Sequence, residues 1–462
     1  MICNTVLIVV VVVYNVSLTV NIVLLPFKRS ISTTTHHMLM HMHTPTSLLS
    51  ELTDTSAAVN VCVGSNNNMQ CLQLSLHMNE HATWVISATS TQSQHQRKGI
   101  KTYNKTLSNT YQCVDPTLYY FSLLQYQNGY ISKDMFSFIT TTTTTTTYND
   151  VLVIPKYNFL LCEQYNYIDN NSGVLGLASN TNAHHFLSHT NFFTQLNAYY
   201  NNTLSLQFSF EYNNNILSEG LNDISALTHG NVIIGEAQLY KGTYVNDNII
   251  QNKNDKYIWG GHINSITFRS SSSKAGSNVV VNEQFEYELA FEFGYIFLPG
   301  KLHVKLLELF FTNMIHNNIC NELQFRTFYY GYICDIHKER DIIRTFPQLH
   351  ITFNYGSIIL HAKDLFMKDT TTNSIICLLV FPSEEYGSSG VSARWKLGAP
   401  FFKRQYMLFH YNNNTISYYI GDGSSSSNST MKMLLVCVIS IMCVICCILL
   451  LFVFKLFIYK YI

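Results

Sequence analysis

Charge is scarce in this chain. Charged residues fill 12% of its 462 positions, and 28 Lys and Arg balance 28 Asp and Glu, so formal net charge is zero. Without an excess of positive charge there is no electrostatic footprint for phosphate, and nucleic acid is excluded as an expected partner. Amphipathic helix patterns are also few. The best runs from Leu302 to Met314, after a Pro-Gly start. Lys and Arg are missing ahead of the first apolar run, where a secretory leader usually carries them.

What is present is Asn, Thr, Ser and Tyr, with short β-branched and aromatic runs between turn residues. Leu72–Leu76, Thr83–Ile86, Val151–Ile154, Val232–Ile234, His262–Phe268 and Leu349–Phe353 all have this form. Such runs read as strands, so the fold class is mainly β. The eight threonines Thr140–Thr147 and the triplet Asn66–Asn68 cannot bury enough apolar area to pack and read as surface loops.

Two apolar segments frame the chain. The first, Val6–Val13 resuming at Val20–Leu25, places a signal peptide or uncleaved signal anchor at residues 1–27. The second, Met433–Phe454, carries no charge and is long enough to cross a bilayer as a helix, which takes about 20 residues. Lys455 and Lys460 then belong to a cytosolic tail at 455–462, and residues 422–432 form a polar stalk. A cleaved GPI signal is the alternative, disfavoured by those terminal lysines. The expectation is a single-pass protein of the secretory pathway or cell surface, its ectodomain lumenal or extracellular.

Seven cysteines lie between the two segments: Cys62, Cys71, Cys113, Cys162, Cys320, Cys334 and Cys377. In an oxidising lumen most should pair, and the odd number leaves one over. Sequons at Asn104, Asn170, Asn201, Asn413 and Asn428 fall in the same region and are candidate glycosylation sites. Residues 28–58 read as a pro-region or linker. Their cluster His36–His43, rich in His and Met, has the ligand types for copper or zinc. It reads instead as low-complexity sequence, and neither a metal nor a cofactor is expected.

Several segments, in order, resemble the pepsin-like aspartic proteases. The apolar strand ending at His77 is followed by Trp84-Val85, as the family's first Asp-Thr-Gly strand and turn is followed by Trp-Val. Ser108-Asn109-Thr110-Tyr111 resembles the stretch after it, Tyr126-Gln127-Asn128-Gly129 the flap, and Gly173-Val174-Leu175-Gly176-Leu177 a signature late in the first lobe. Glu288 to Pro299 resembles the second active-site strand, which ends in Leu-Pro. Phe346-Pro347 to Leu360 and Trp395 to Phe409 resemble the last patterned stretches, with His410 where the family ends on Asp.

The resemblance implies a bilobal fold, with a first β lobe at 59–235 and a second at 236–421. It implies a disulfide between Cys334 and Cys377, and a cleft lined by Tyr126 and Trp84. It also places the two catalytic aspartates at His77 and Ala290, and the following glycines at Asn79 and Glu292. The family's reaction needs two carboxylates sharing one proton. Ala290 cannot titrate, and His77 faces no acid. Glu288 or Glu292 could supply a carboxylate only by a shift in register, which when odd would turn the strand's apolar side chains over. The expected function is therefore a membrane-tethered, non-catalytic protein that binds peptide or a protein partner in the cleft. The alternatives are an active membrane-anchored aspartic endopeptidase with a divergent dyad, and a surface glycoprotein using the fold as scaffold only.

Overall fold

A computed structural model describes residues 23–29 and 57–420, apart from 66–67, 91–99, 121–127, 140–150, 165–170, 180–188, 203–205, 213–219, 228, 236–242, 252–256, 270–278, 326–328, 370–371 and 383–393. The fold is mainly β, and every strand expected from the apolar runs is present.

The first half of the chain supplies β1 (Val23–Arg29), β2 (Ala57–Val63), β3 (Gln70–His77), β4 (Trp84–Ile86), β5 (Gln112–Tyr120), β6 (Asn128–Ile139), β7 (Val151–Gln164) and β8 (Gly173–Gly176). Next come β9 (Gln207–Tyr212), β10 (His229–Ile234) and β11 (Tyr244–Asn248), then a short pair, β12 (Ile250–Gln251) and β13 (Tyr257–Ile258). The second half supplies β14 (Gly260–Arg269), β15 (Val279–Val281), β16 (Phe285–Leu289), β17 (Ile296–Phe297), β18 (Cys320–Phe325), β19 (Tyr329–Asp335), β20 (Gln348–Phe353) and β21 (Gly356–Leu360). It ends with β22 (Phe366–Asp369), β23 (Ser374–Cys377), β24 (Leu379–Pro382), β25 (Trp395–Leu397), β26 (Met407–His410) and β27 (Thr415–Tyr419).

These strands build two large sheets. One is ordered β11-β27-β26-β9-β10-β1-β2-β3-β8-β4-β7-β6-β5, and the other β21-β20-β14-β16-β25-β17-β24-β19-β23-β22. The chain's last strands return to the first sheet, with Phe409 opposite Phe208, so residues 236–421 do not form one closed unit. Residues 23–27, the end of the segment expected to be a leader, also lie in that sheet. β1 lies between β10 and β2, with Val23 opposite Ile234 and Phe27 opposite Val59, and Leu25 is 1% exposed. An apolar run suits a buried central strand as well as a leader, because both remove the same side chains from water.

Aromatic side chains fasten the two sheets together. Phe210 of β9 stacks on Phe291, which follows β16 of the second sheet, with ring centroids 3.8 Å apart; within the first sheet Phe208 stacks on its cross-strand partner Phe409 at 4.8 Å. Trp259 meets both Phe208 and Phe409 edge-on. Such pairs contribute about 0.5–1.5 kcal/mol each beyond their burial. The expected helix at Leu302–Met314 is present inside a longer helical stretch, Gly300–Leu306 through Thr312–His316, with a π-helical turn between.

Two cross-strand disulfides are present. Cys62 bonds Cys71 between β2 and β3, and Cys320 bonds Cys334 between β18 and β19. They fit an oxidising, extracellular or lumenal compartment. The expected Cys334–Cys377 bond is corrected by this pairing: Cys377 is a buried free thiol. The reason is register. Ile333 stands opposite Ile376 and Cys334 opposite Ile375, so Cys377 is a diagonal neighbour of Cys334. Diagonal Cα atoms lie about 7–8 Å apart, beyond ordinary disulfide reach. Cys320 stands directly opposite Cys334, with Cα atoms 4.0 Å apart. Among the described residues no helix is long and apolar enough to cross a membrane. Met433–Phe454 lies outside them, as do the stalk and tail.

Candidate functional site

The fold contains one strand arrangement twice. β3 runs parallel to β8, β8 pairs antiparallel with β4, and β4 runs parallel to β7. In the second sheet β16 runs parallel to β25, β25 pairs antiparallel with β17, and β17 runs parallel to β24. Each copy has one glycine where the backbone crosses the turn. A Cβ on Gly176 would sit 2.6 Å from the Glu80 carbonyl oxygen and 2.8 Å from that of Ala82. A Cβ on Gly398 would sit 2.5 Å from the carbonyl oxygen of Phe293 and 2.1 Å from that of Tyr295.

These contacts set the two copies in register. The shift that carries Glu80 onto Phe293 and Ala82 onto Tyr295 also carries Trp84 onto Phe297, His77 onto Ala290 and Asn79 onto Glu292. His77 and Ala290 therefore occupy equivalent places at the ends of their strands. Ala290 is fully buried, and its N–H donates to the Leu397 carbonyl at 3.1 Å. His77 is half-buried, and its carbonyl accepts the Leu177 N–H at 2.9 Å.

The two turns touch. The Met78 N–H donates to Glu292 Oε2 at 3.3 Å, and Asn79 Nδ2 donates to the Leu289 carbonyl at 3.3 Å. Asn79 Oδ1 in turn accepts the Trp259 N–H at 3.1 Å, and the Trp259 indole N–H donates to the Leu177 carbonyl at 2.8 Å. The equivalent residues Asn79 and Glu292 thus each reach across to the other copy.

Glu292 is 9% exposed. Burial pushes its carboxyl up to about 7, and the nearby Glu288 charge adds to the rise. Its own backbone N–H, the Met78 N–H and Lys396 act against that rise. Lys396 pairs with Glu288 at 3.1 Å and lies 5.1 Å above the Phe293 ring. Removing a carboxylate from water disfavours its charged form more than a few partial dipoles restore.

The other expected site residues are spread more widely. Trp84 does not line a cleft: it is 1% exposed and packs with Ile86, Ile131, Leu160 and Val174 beneath the β5–β6 hairpin. A large ring on a short central strand is drawn fully into the core. Tyr126 lies in 121–127, outside the described residues, between β5 and β6. His410 bonds Ser417 Oγ through Nε2 at 2.6 Å, and burial lowers its pKa.

Of the sequons, Asn201 and Asn413 are exposed. Asn104 is half-buried and accepts from both the N–H and the hydroxyl of Thr106. Asn170, Asn428 and the His36–His43 cluster lie outside the described residues. A groove of about 390 Å³ elsewhere is lined by Ile154, Lys156, Asn158 and Tyr199, none of which belongs to either turn.

The clasp of Asn79 and Glu292 is the feature that sequence reasoning missed. Its trace was there: both places that the resemblance assigns to glycine carry a longer polar side chain. No protein-family profile matches the chain, and a search of curated proteins finds no match.

Proposed function

We propose that this chain is a degenerate pepsin-like protein, tethered to a membrane through Met433–Phe454, that binds peptide or a protein partner between its two halves and does not hydrolyse it. One observation carries the reading. The twin strand-turn-strand units place His77 and Ala290 at equivalent positions, and neither residue is a carboxylic acid. In the family this chain resembles, those positions hold the aspartate pair that activates water. An imidazole and a methyl group cannot share a proton in that way. The ectodomain placement is supported by the two disulfides.

One observation favours the competing reading of an active peptidase. Glu292 keeps a carboxyl at the contact between the turns and holds its proton to about pH 7. Against it, Oε2 already accepts the Met78 N–H, and the group is almost wholly buried. The deciding experiment is peptide cleavage and pepstatin binding by the purified protein between pH 3 and pH 7. Absence of pepstatin-sensitive cleavage in both wild type and His77→Ala supports the non-catalytic reading. Pepstatin-sensitive cleavage that survives His77→Ala and disappears in Glu292→Gln would overturn it.

A further inference from the structure

We propose that the groove beside β7, away from both turns, docks an extended peptide that adds as a strand to the open edge of β7 and sets a carboxylate against Lys156. The groove measures about 390 Å³ and lies between the first part of β7 and the helix Phe192–Tyr199. On one side β6 accompanies β7 from Val151 to Gln164. On the other, β4 covers only Leu160–Cys162. Among the described residues no strand lies against that side of Val151–Asn158. An uncovered edge presents N–H and C=O groups with which another chain can pair.

One side chain already marks where that chain would run. Gln195 Nε2 donates to the Asn158 carbonyl at 2.8 Å, and Gln195 Oε1 accepts the Asn158 N–H. These are the two bonds that a residue of an antiparallel strand makes to the residue opposite it. Strand alternation turns the N–H and C=O of Lys156 to the same side as those of Asn158, one rung further on. Pro155 has no N–H to offer, and it falls where the pairing of β6 with β7 shifts register. The rung at Lys156 is therefore open, and the Gln195 amide ends the ladder behind it. Asn158 Oδ1 lies in the same wall, shut off from water and without a hydrogen-bond partner among the described residues. An N–H of the docked chain is the donor it lacks.

The lining states what the peptide carries. Ile154, Ala198 and Tyr199 give the groove an apolar wall, and Tyr199 is 44% exposed. Lys156 is exposed and is the one charged residue in the described lining. It makes no ion pair among the described residues. An acidic side chain opposite Lys156 supplies that partner, and apolar side chains next to it cover Ala198 and Tyr199. A second copy of this chain is a poorer match. Its own β7, meeting this edge about a two-fold axis, would bring one Lys156 against the other. The site is separate from the contact between the two turns, since it shares no residue with either.

The test uses the full chain in detergent and a blocked, fluorescein-labelled peptide, Thr-Val-Glu-Val-Thr-Val, followed by fluorescence anisotropy. Wild type should bind it saturably, and hydrogen exchange over residues 154–158 should slow in its presence. Lys156→Glu changes an exposed side chain and should fold normally. It should weaken binding on the order of tenfold, and a peptide with Lys in place of Glu should restore it. Equal binding by wild type and Lys156→Glu would overturn the proposal. So would the absence of saturable binding, or slowed exchange at the two turns in place of β7, which would put the peptide between the halves. Slowed exchange over residues 154–158 on concentrating the protein without peptide would give the edge to a second copy and overturn the peptide as its occupant.

Discussion

Gly398→Ala probes the geometry that sets the two halves in register. The added Cβ would lie 2.1 Å from the Tyr295 carbonyl oxygen and 2.5 Å from that of Phe293. Both obstacles are backbone, so no rotamer change relieves them, and one segment must move by about an ångström. That movement strains the bond from the Ala399 N–H to the Phe293 carbonyl, now 2.8 Å, and disturbs the turn that carries Ala290 and Glu292. Gly398 has φ −91°, within reach of any residue, so the cost is steric and not conformational. Overpacking of this kind costs about 1–3 kcal/mol, and a weakened buried hydrogen bond adds about 1. Alanine returns about 0.4–1 kcal/mol by restricting the unfolded chain.

The net loss should be about 2–3 kcal/mol, read as a lower urea midpoint at unchanged slope. Gly176→Ala meets the equivalent carbonyls at 2.6 and 2.8 Å and should behave alike. Gly300→Ala is the control. Its added Cβ would find only Pro382 Cγ, at 3.6 Å, and it opens a helix, so it should be neutral or slightly stabilising. A Gly398→Ala loss below about 1 kcal/mol, or an equal loss at Gly300, would refute the reasoning.

Three further outcomes are expected. Non-reducing peptide mapping should join Cys320 to Cys334 and leave Cys377 unmodified by alkylating reagent until the protein unfolds, since burial raises its thiol to about 12; breaking that bond by Cys320→Ser should cost about 3 kcal/mol, and Cys377→Ser should leave the map unchanged. Trp84→Ala should cost about 3–5 kcal/mol in a urea melt as a core deletion, and Trp84→Phe much less; equal small losses would return Trp84 to a cleft wall. Ala290→Asp should not create cleavage, because the new carboxyl enters a fully buried position and the equivalent residue of the other copy, His77, is not an acid; any pepstatin-sensitive turnover by this single variant would count against the non-catalytic reading.

Strand positions were legible because short apolar, β-branched and aromatic runs lie between turn residues: β20 alternates buried and half-buried residues, whereas Val232–Ile234 of β10 is a continuous buried run. The equivalence of His77 and Ala290 was legible from Trp-Val and Leu-Pro, each a fixed distance beyond its strand. Other features were not. A leader and a central strand demand the same apolar residues, so Val23–Leu25 could not declare itself. A disulfide partner depends on register, and the placement of Cys320 opposite Cys334 appears only once β18 and β19 are paired. Trp84 suggested a cleft by type, whereas its burial depends on β7, β8 and the hairpin that covers it.

The least legible feature was the clasp, because substitution of a glycine reads first as damage. A longer residue at such a turn forces the two backbones to stand further apart. That loss is offset when the new side chains bond across the space they create, as Asn79 does to the Leu289 carbonyl and Trp259, and Glu292 to Met78. Asn79 alone supplies two of these bonds without a charge. Glu292 accepts the Met78 N–H as a buried acid, and burial of a carboxylate carries a penalty at neutral pH. Glu292→Gln tests that penalty: the amide keeps an oxygen for the Met78 N–H, and its urea midpoint at pH 8 should lie above that of wild type, an equal or lower midpoint counting against a cost for the buried acid.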